Sequence, residues 1–311
     1  MSVAIAGGTG GLGRALAEAI LARGTYQVLV LTRKVPENSP AVAGLRFAAV
    51  NYYNVDSLAS VLEENNISTV IFTVNNHPGN NEAEVNLIYA AERSTATKRF
   101  IPSYFGVPYS PEQYDGFPPA KAKKSALVAL KSTSLQWTTV YNGYFLDYFG
   151  TPRMKSYVDQ VAFFVDMANN AAAIPGSGEV PVVFTQTFDV GRFVAAMLEQ
   201  PNLPQETYII GDKLTFNELV RLAEEIKGSK FAVVHDSVED LKACKLTELP
   251  AHREVYKFYP KEVLHSFLAP FGLNCEQGQA NFNPSRTLSD EFPELKPLKA
   301  KDVLERGWGK A

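Results

Sequence analysis

Three places in the chain combine residue types and spacings that could do chemistry. The first is Gly7-Gly8-Thr9-Gly10-Gly11-Leu12-Gly13, which follows the apolar run Val3–Ala6 and opens an amphipathic helical pattern. A glycine at 7 permits a tight turn, one at 10 lets the backbone approach a pyrophosphate, and one at 13 lets helix and strand pack closely. Unpaired amides at the helix start then face an anion. Gly7, Thr9, Gly10, Gly11, Leu12 and Gly13 are therefore the expected phosphate contacts. The second is Thr32-Arg33-Lys34, at the end of the second apolar run. An acid there would bind a ribose 2′-hydroxyl, whereas Arg33, twenty residues beyond Gly13, has the fork that suits a 2′-phosphate, with Lys34 beside it. The pair favours NADP(H) over NAD; its bland alternative is a solvated surface pair.

The third is Lys123. Lys121, Lys123, Lys124 and Lys131 read first as a solvated charge run. At about 100° per residue, however, Lys123 shares a stripe with Ala126, Leu127 and Leu130, while the other lysines and Ser125 fall on the opposite side. A cation turned toward a core either snorkels out or meets a partner, and desolvation beside a nicotinamide would lower its pKa enough for proton transfer. Lys123 is the candidate general acid/base. Tyr104 and Asn142 follow strand ends at the same edge and are candidate substrate contacts. Tyr141, Tyr144, Phe145, Tyr148 and Phe149 are either an aromatic substrate pocket, with Tyr144 and Phe145 as contacts, or core.

The elements that must position these groups alternate. The pattern predicts strands at Val3–Ala6, Gln27–Leu31, Arg46–Val50, Thr69–Thr73, Arg99–Pro102 and Thr138–Tyr141. Helices are predicted over Leu12–Ala22, Asp56–Glu64, Glu82–Arg93 and Ala120–Lys131. This is an α/β chain with a Rossmann-type doubly wound parallel sheet and a smaller C-terminal substrate-binding region. The expected division is 1–150 for the dinucleotide and 151–311 mainly for the substrate, part of 181–212 returning to the sheet. Further on, Asp189 is predicted to cap a helix Val190–Gln200, Thr215 and Glu218 to form a capping box, and Ser237 and Asp240 to repeat it. From Asn281 onward the chain reads as loop.

Composition narrows the classes. The 311 residues are 46% hydrophobic and 20% charged, enough for a full core, and a net charge of −3 offers no basic surplus for nucleic acid. No secretion signal and no stretch of eighteen apolar residues is found, so a cytoplasmic protein free of membrane is expected, as a monomer or homodimer. Cys244 and Cys275 are too few for a disulfide framework and read as ordinary thiols. His77, His235, His252 and His265 lack metal-ligand spacing, so no metal is expected.

The glycine turn, the basic end of strand two, Lys98-Arg99-Phe100-Ile101-Pro102-Ser103-Tyr104-Phe105-Gly106, Lys123 and Trp137-Thr138-Thr139-Val140-Tyr141-Asn142-Gly143-Tyr144-Phe145 occur in one order. Together they resemble the isoflavone reductase-like, NmrA-like group of atypical short-chain dehydrogenases, strongly over residues 1–150 and more weakly through Phe188-Asp189-Val190-Gly191-Arg192. The resemblance implies that the lysine matching Lys123 is catalytic, in place of a Tyr-x-x-x-Lys pair. It also implies cofactor contacts at Thr73, Val74, Asn75, Ser103, Phe105, Lys123 and Asn142. Tyr104 departs from the group's Lys-Arg-Phe-x-Pro-Ser-Glu-Phe-Gly run, where a glutamate is usual. What the resemblance implies for activity is an NADPH-dependent reductase of an aromatic, conjugated or polyketide-like molecule in secondary metabolism. An NADP(H)-sensing regulator without turnover and a redox-neutral isomerase or cyclase remain as alternatives.

Overall fold

The computed structural model describes residues 1–37, 42–74 and 81–310. The chain divides into two compact units, Met1–Tyr141 with Thr187–Ile209 and Arg286–Leu295, and Asn142–Gln186 with Ile210–Ser285 and Lys296–Ala311.

The first unit is built on β1 (Ser2–Ala6), α1 (Gly11–Ala22), β2 (Gln27–Thr32), β3 (Leu45–Ala49), α2 (Val55–Glu64), β4 (Ile67–Phe72), α3 (Glu82–Arg93), β5 (Arg99–Ile101), the short α4 (Gln113–Gly116), α5 (Pro118–Lys131) and β6 (Gln136–Trp137). The six strands form one parallel sheet in the order β3-β2-β1-β4-β5-β6. Helical crossovers cover both faces, so β1 and β2 need no polar side, and both are almost wholly buried apolar runs. Alternation then sorts the side chains. Ala4, Ala6, Leu29 and Leu31 enter a core with Phe100 from β5 and Leu58, Leu62, Leu87, Ile88 and Leu130 from α2, α3 and α5. Val3, Ile5, Val28 and Val30 point to the other face, the side of α1. There α7 (Thr187–Met197) returns to pack on α1, with Gly191 against the Ala15 carbonyl. The order reverses at β1 and β4, and their carboxyl ends flank the switch point where this architecture binds ligands.

Several local expectations are corrected. Thr138–Tyr141 is not one strand of the sheet: Gln136–Trp137 completes it, and β7 (Thr139–Tyr141) pairs with β12 (Glu206–Tyr208) in a separate two-stranded ladder. The break is at Thr138, whose buried hydroxyl bonds Thr207 Oγ1 at 2.8 Å. Asp189 does not cap its helix; α7 starts two residues earlier, and the carboxylate lies in its first turn, paired with Arg192. The stretch after Asn281 is not all loop, since α12 (Leu288–Glu291) and α13 (Ala300–Trp308) form there, the latter burying Val303 and Leu304.

The second unit holds β8 (Tyr144–Phe145), α6 (Asp147–Gly150), β9 (Val165–Asp166), β10 (Ala171–Pro175), β11 (Val182–Thr185), β13 (Asp212–Leu214), α8 (Phe216–Lys227), β14 (Ala232–Asp236), α9 (Val238–Lys242), α10 (His252–Val255) and α11 (Lys261–Glu276). Its strands form two three-stranded sheets, β14-β10-β9 and β13-β11-β8. Thr215 and Glu218 form the predicted capping box on α8, and Ser237 caps α9 through the Asp240 amide. Cys244 is exposed and Cys275 buried, both as free thiols. Among the described residues no helix is long and apolar enough to cross a membrane, and no cluster of His, Cys, Asp and Glu could hold a metal.

Candidate functional site

At the carboxyl end of β1 the backbone itself makes the site. Gly7 has φ +86°, and a Cβ there would lie 2.9 Å from the Thr73 and Val74 backbone. A Cβ on Gly13 would lie 2.4 Å from the Gly7 carbonyl oxygen and from Thr73 Oγ1. Only glycine fits at either place. Thr73 closes the turn from β4, its amide and hydroxyl both donating to Ala6 O at 2.9 and 2.7 Å. Gly10 and Gly11 differ, because among the described residues nothing lies within 4 Å of a Cβ on either. Thr9 and Gly10 are exposed, Leu12 is buried beneath them, and Gly10 caps α1 with no side-chain hydrogen bond and no acid in the first turn. The opening of α1 thus leaves room in front of a positive helix end, the cradle a pyrophosphate requires.

At the carboxyl end of β2, Arg33 and Lys34 are both exposed. Lys34 pairs with Glu37 at 3.3 Å. This is a surface pair of little strength, so Lys34 can be drawn away by a stronger anion. Arg33 lies close enough to the buried Tyr52 to act on its phenol electrostatically.

The proton-bearing group sits at the end of β5. Lys123 turns inward from α5, on the stripe with the buried Ala126 and Leu130, while Lys121, Lys124, Ser125 and Lys131 are exposed. Its Nζ donates to Ser103 Oγ at 3.3 Å and stands 5.7 Å from the centre of the Tyr104 ring, within reach of its π face. Burial lowers the Lys123 pKa, and the nearby Glu84 carboxylate partly opposes that shift. Glu84, in the first turn of α3, is 1% exposed; its Oε1 accepts the Ser103 amide at 2.6 Å. Burial raises its pKa, against the pull of Lys123, the Ser103 amide and Asn81. The sequence reading missed Glu84, although it carries the same signal as Lys123: it shares the buried face of α3 with Leu87, Ile88 and Ala91.

Tyr104 is 2% exposed, and its hydroxyl is taken up by Tyr114. Its ring meets Tyr109 and Tyr141 edge-on, and Tyr109 in turn meets Tyr114 and Phe117. Burial raises the pKa of Tyr104 and Tyr109, and pushes Tyr141 up to about 12, so all three stay neutral. Tyr104 thus forms a floor beneath Lys123. Thr73, Val74, Ser103 and Phe105 are all half-buried around these strand ends, and Asn75, like His77, lies outside the described residues.

The other expected contacts belong to the second unit. Asn142 is fully buried; its Nδ2 donates to Gly143 O at 3.0 Å, and its Oδ1 has no partner among the described residues. A buried acceptor left open in this way marks a place for a donor that the described residues do not supply. Tyr144 is 9% exposed, with its hydroxyl on Phe271 O at 3.1 Å and its ring among Phe163, Phe184 and Phe271. Phe145 and Tyr148 are half-buried, their rings tilted against each other with centroids 6.2 Å apart. The aromatic run 141–149 is therefore split: Tyr141 joins the Tyr104 cluster, and the rest pack in the second unit.

Several known proteins are similar to this chain. An oxidoreductase, BOA1, of Botryotinia fuckeliana is 33% identical over 300 residues, covering 95% of each chain. The solved binary complex of leucoanthocyanidin reductase with NADPH from Vitis vinifera matches with a TM-score of 0.73 at 20% identity, covering 98% of both chains. A structure of AtPrR2 with NADP+ and (+)-pinoresinol gives 0.73 at 22% identity, covering 98% of this chain and 97% of that one. The NmrA-like family matches residues 1–305. With a match over that span, the chain belongs to the NmrA-like family.

Proposed function

We propose that the chain is an NADPH-dependent reductase of an aromatic or conjugated small molecule, acting in secondary metabolism, with Lys123 as its general acid/base. The observation that carries this reading is Lys123 itself, an inward cation of lowered pKa held by Ser103 at the carboxyl end of β5. Support for the cofactor comes from the glycine cradle, from Arg33 and from the neighbour solved with NADPH. Support for the substrate class comes from the neighbour solved with (+)-pinoresinol and from the aromatic side chains of the second unit.

NADPH, when bound, supplies a hydride to one atom of a carbonyl or conjugated double bond. Lys123 Nζ gives the proton to the other atom or to the oxyanion, and Ser103 Oγ holds Nζ in line. The amides from Gly11 to Gly13 bind the pyrophosphate, while Arg33 and Lys34 hold the 2′-phosphate. Thr73, Val74 and Phe105 flank the nucleotide, Asn142 Oδ1 accepts a hydrogen bond from the ligand, and Tyr144 and Phe145 supply apolar contacts to the substrate.

The test is steady NADPH consumption by the purified protein across a panel of enones and aromatic ketones. Lys123→Ala should lower turnover by about 10²–10⁴-fold while NADPH still binds. Unchanged turnover in that variant would remove the lysine from the chemistry, and tight binding without turnover on any substrate would favour the sensor.

A further inference from the structure

We infer that Glu84 is a positioning residue for Lys123: it orients Ser103 through that residue's backbone amide and sets a carboxylate beside the ammonium that Ser103 holds. The contacts converge on one residue. Ser103 gives its amide to Glu84 Oε1 at 2.6 Å and receives Lys123 Nζ on its hydroxyl at 3.3 Å. Asn81, 7% exposed, ties the start of α3 to the turn of α5 that carries Lys123, its Nδ2 donating to Ala122 O at 2.7 Å and reaching Ser125 Oγ at 3.3 Å.

A buried carboxylate and a half-buried ammonium each cost free energy alone, and each lowers the other's cost. Among the described residues, the groups acting on Lys123 are the Glu84 carboxylate from α3, and the Ser103 hydroxyl and Tyr104 ring from the end of β5. Those acting on Glu84 are Lys123, the Ser103 amide and Asn81. Glu84 is the acid that opposes desolvation of Lys123. It therefore favours the protonated form of Nζ, the form that donates the proton that follows hydride transfer. This last step rests on the reductase reading above; the coupling of the two charges does not.

The test uses Glu84→Gln in the full chain, which keeps an acceptor for the Ser103 amide and removes the charge. With lysine labelled by ¹³C at Cε, and the Lys123 signal assigned by its loss in Lys123→Arg, the titration midpoint of Lys123 should fall by about one pH unit or more. Lys121 and Lys124, exposed on the same helix, should not move. The wild-type protein gives a second reading should the variant fold poorly: its Lys123 signal should show a further inflection where Glu84 protonates. Lys123 titrating alike with and without the carboxylate, or without that inflection, overturns the inference. Under turnover, the alkaline limb of the kcat profile should move to lower pH in Glu84→Gln by the amount that Lys123 moves. A moved midpoint without turnover would uphold Glu84 and refute the reductase; an unmoved midpoint in an enzyme that needs Lys123 would do the reverse.

Discussion

Arg33 and Lys123 are cations at two carboxyl ends of one sheet, and their surroundings treat them oppositely. Arg33 is exposed, so it suits an anion arriving from solvent, and its guanidinium fork matches a phosphate better than a point charge would. Removing it should cost NADPH affinity about 1.5–3 kcal/mol, tenfold or more, while NADH binding hardly changes. Isothermal calorimetry on Arg33→Ala with both nucleotides checks this. Lys123 is turned inward, and its burial favours loss of the proton. If it acts as the acid, reductase activity falls as pH rises through its pKa, and that limb lies below the ordinary lysine value of about 10.4. A kcat profile with no alkaline limb below that value would contradict the role.

At the scale of elements, the glycine turn makes a paired prediction. Gly13→Ala places a methyl 2.4 Å from backbone at Gly7, so the turn must shift; stability should drop by about 1–3 kcal/mol in urea and NADPH binding should fail. Gly10→Ala meets nothing within 4 Å and has φ −158°, which any residue adopts, so stability should hold while NADPH affinity alone declines. Much of this scale was legible beforehand, because periods of 2 and 3.6 write themselves directly into apolar spacing. Lys123 was found through its stripe. Glu84 lay on an equally clear stripe, but an acid in the first turn of a helix is common for electrostatic reasons, and that ordinary role masked it. What pattern does not encode is pairing: nothing local to Thr138 foretells that its hydroxyl meets Thr207, about seventy residues on, and splits the final strand. Tyr104 was legible as a residue at a strand end but not as one engaged by Tyr114, a side chain from the short helix α4 that follows. Tyr104→Phe should cost only about 1 kcal/mol, whereas Tyr104→Ala should cost about 3–5, both read from urea unfolding.

Over the whole molecule, buried titratable groups set how stability follows pH. In the second unit His252 is buried, its Nε2 placed to donate to Ala162 O at 2.7 Å and its Nδ1 to accept from the Leu249 amide at 3.3 Å. A proton on Nδ1 would destroy the second bond. Burial lowers the pKa of His252 and of His265. The unfolded chain therefore binds more protons than the folded one below the ordinary imidazole value of about 6.5. Their stabilisation is complete above that value and is lost as pH falls through the folded pKa. The melting temperature should decline on acidification across this range, and less so in His252→Gln. Glu84, with its raised pKa, works in the opposite sense, its contribution present at low pH and lost as pH rises. The division into two units explains why the second half was harder to read than the first. Its strands are two to five residues long and belong to two small sheets, too short for alternation to register. The first unit instead repeats one βα pattern.

Calorimetric titration of the wild-type chain with NADPH and with NADH tests the account most directly. The glycine cradle and Arg33 predict saturable NADPH binding with NADH weaker by about tenfold or more. Equal affinity for the two nucleotides, or no heat from NADPH at millimolar concentration, would contradict it.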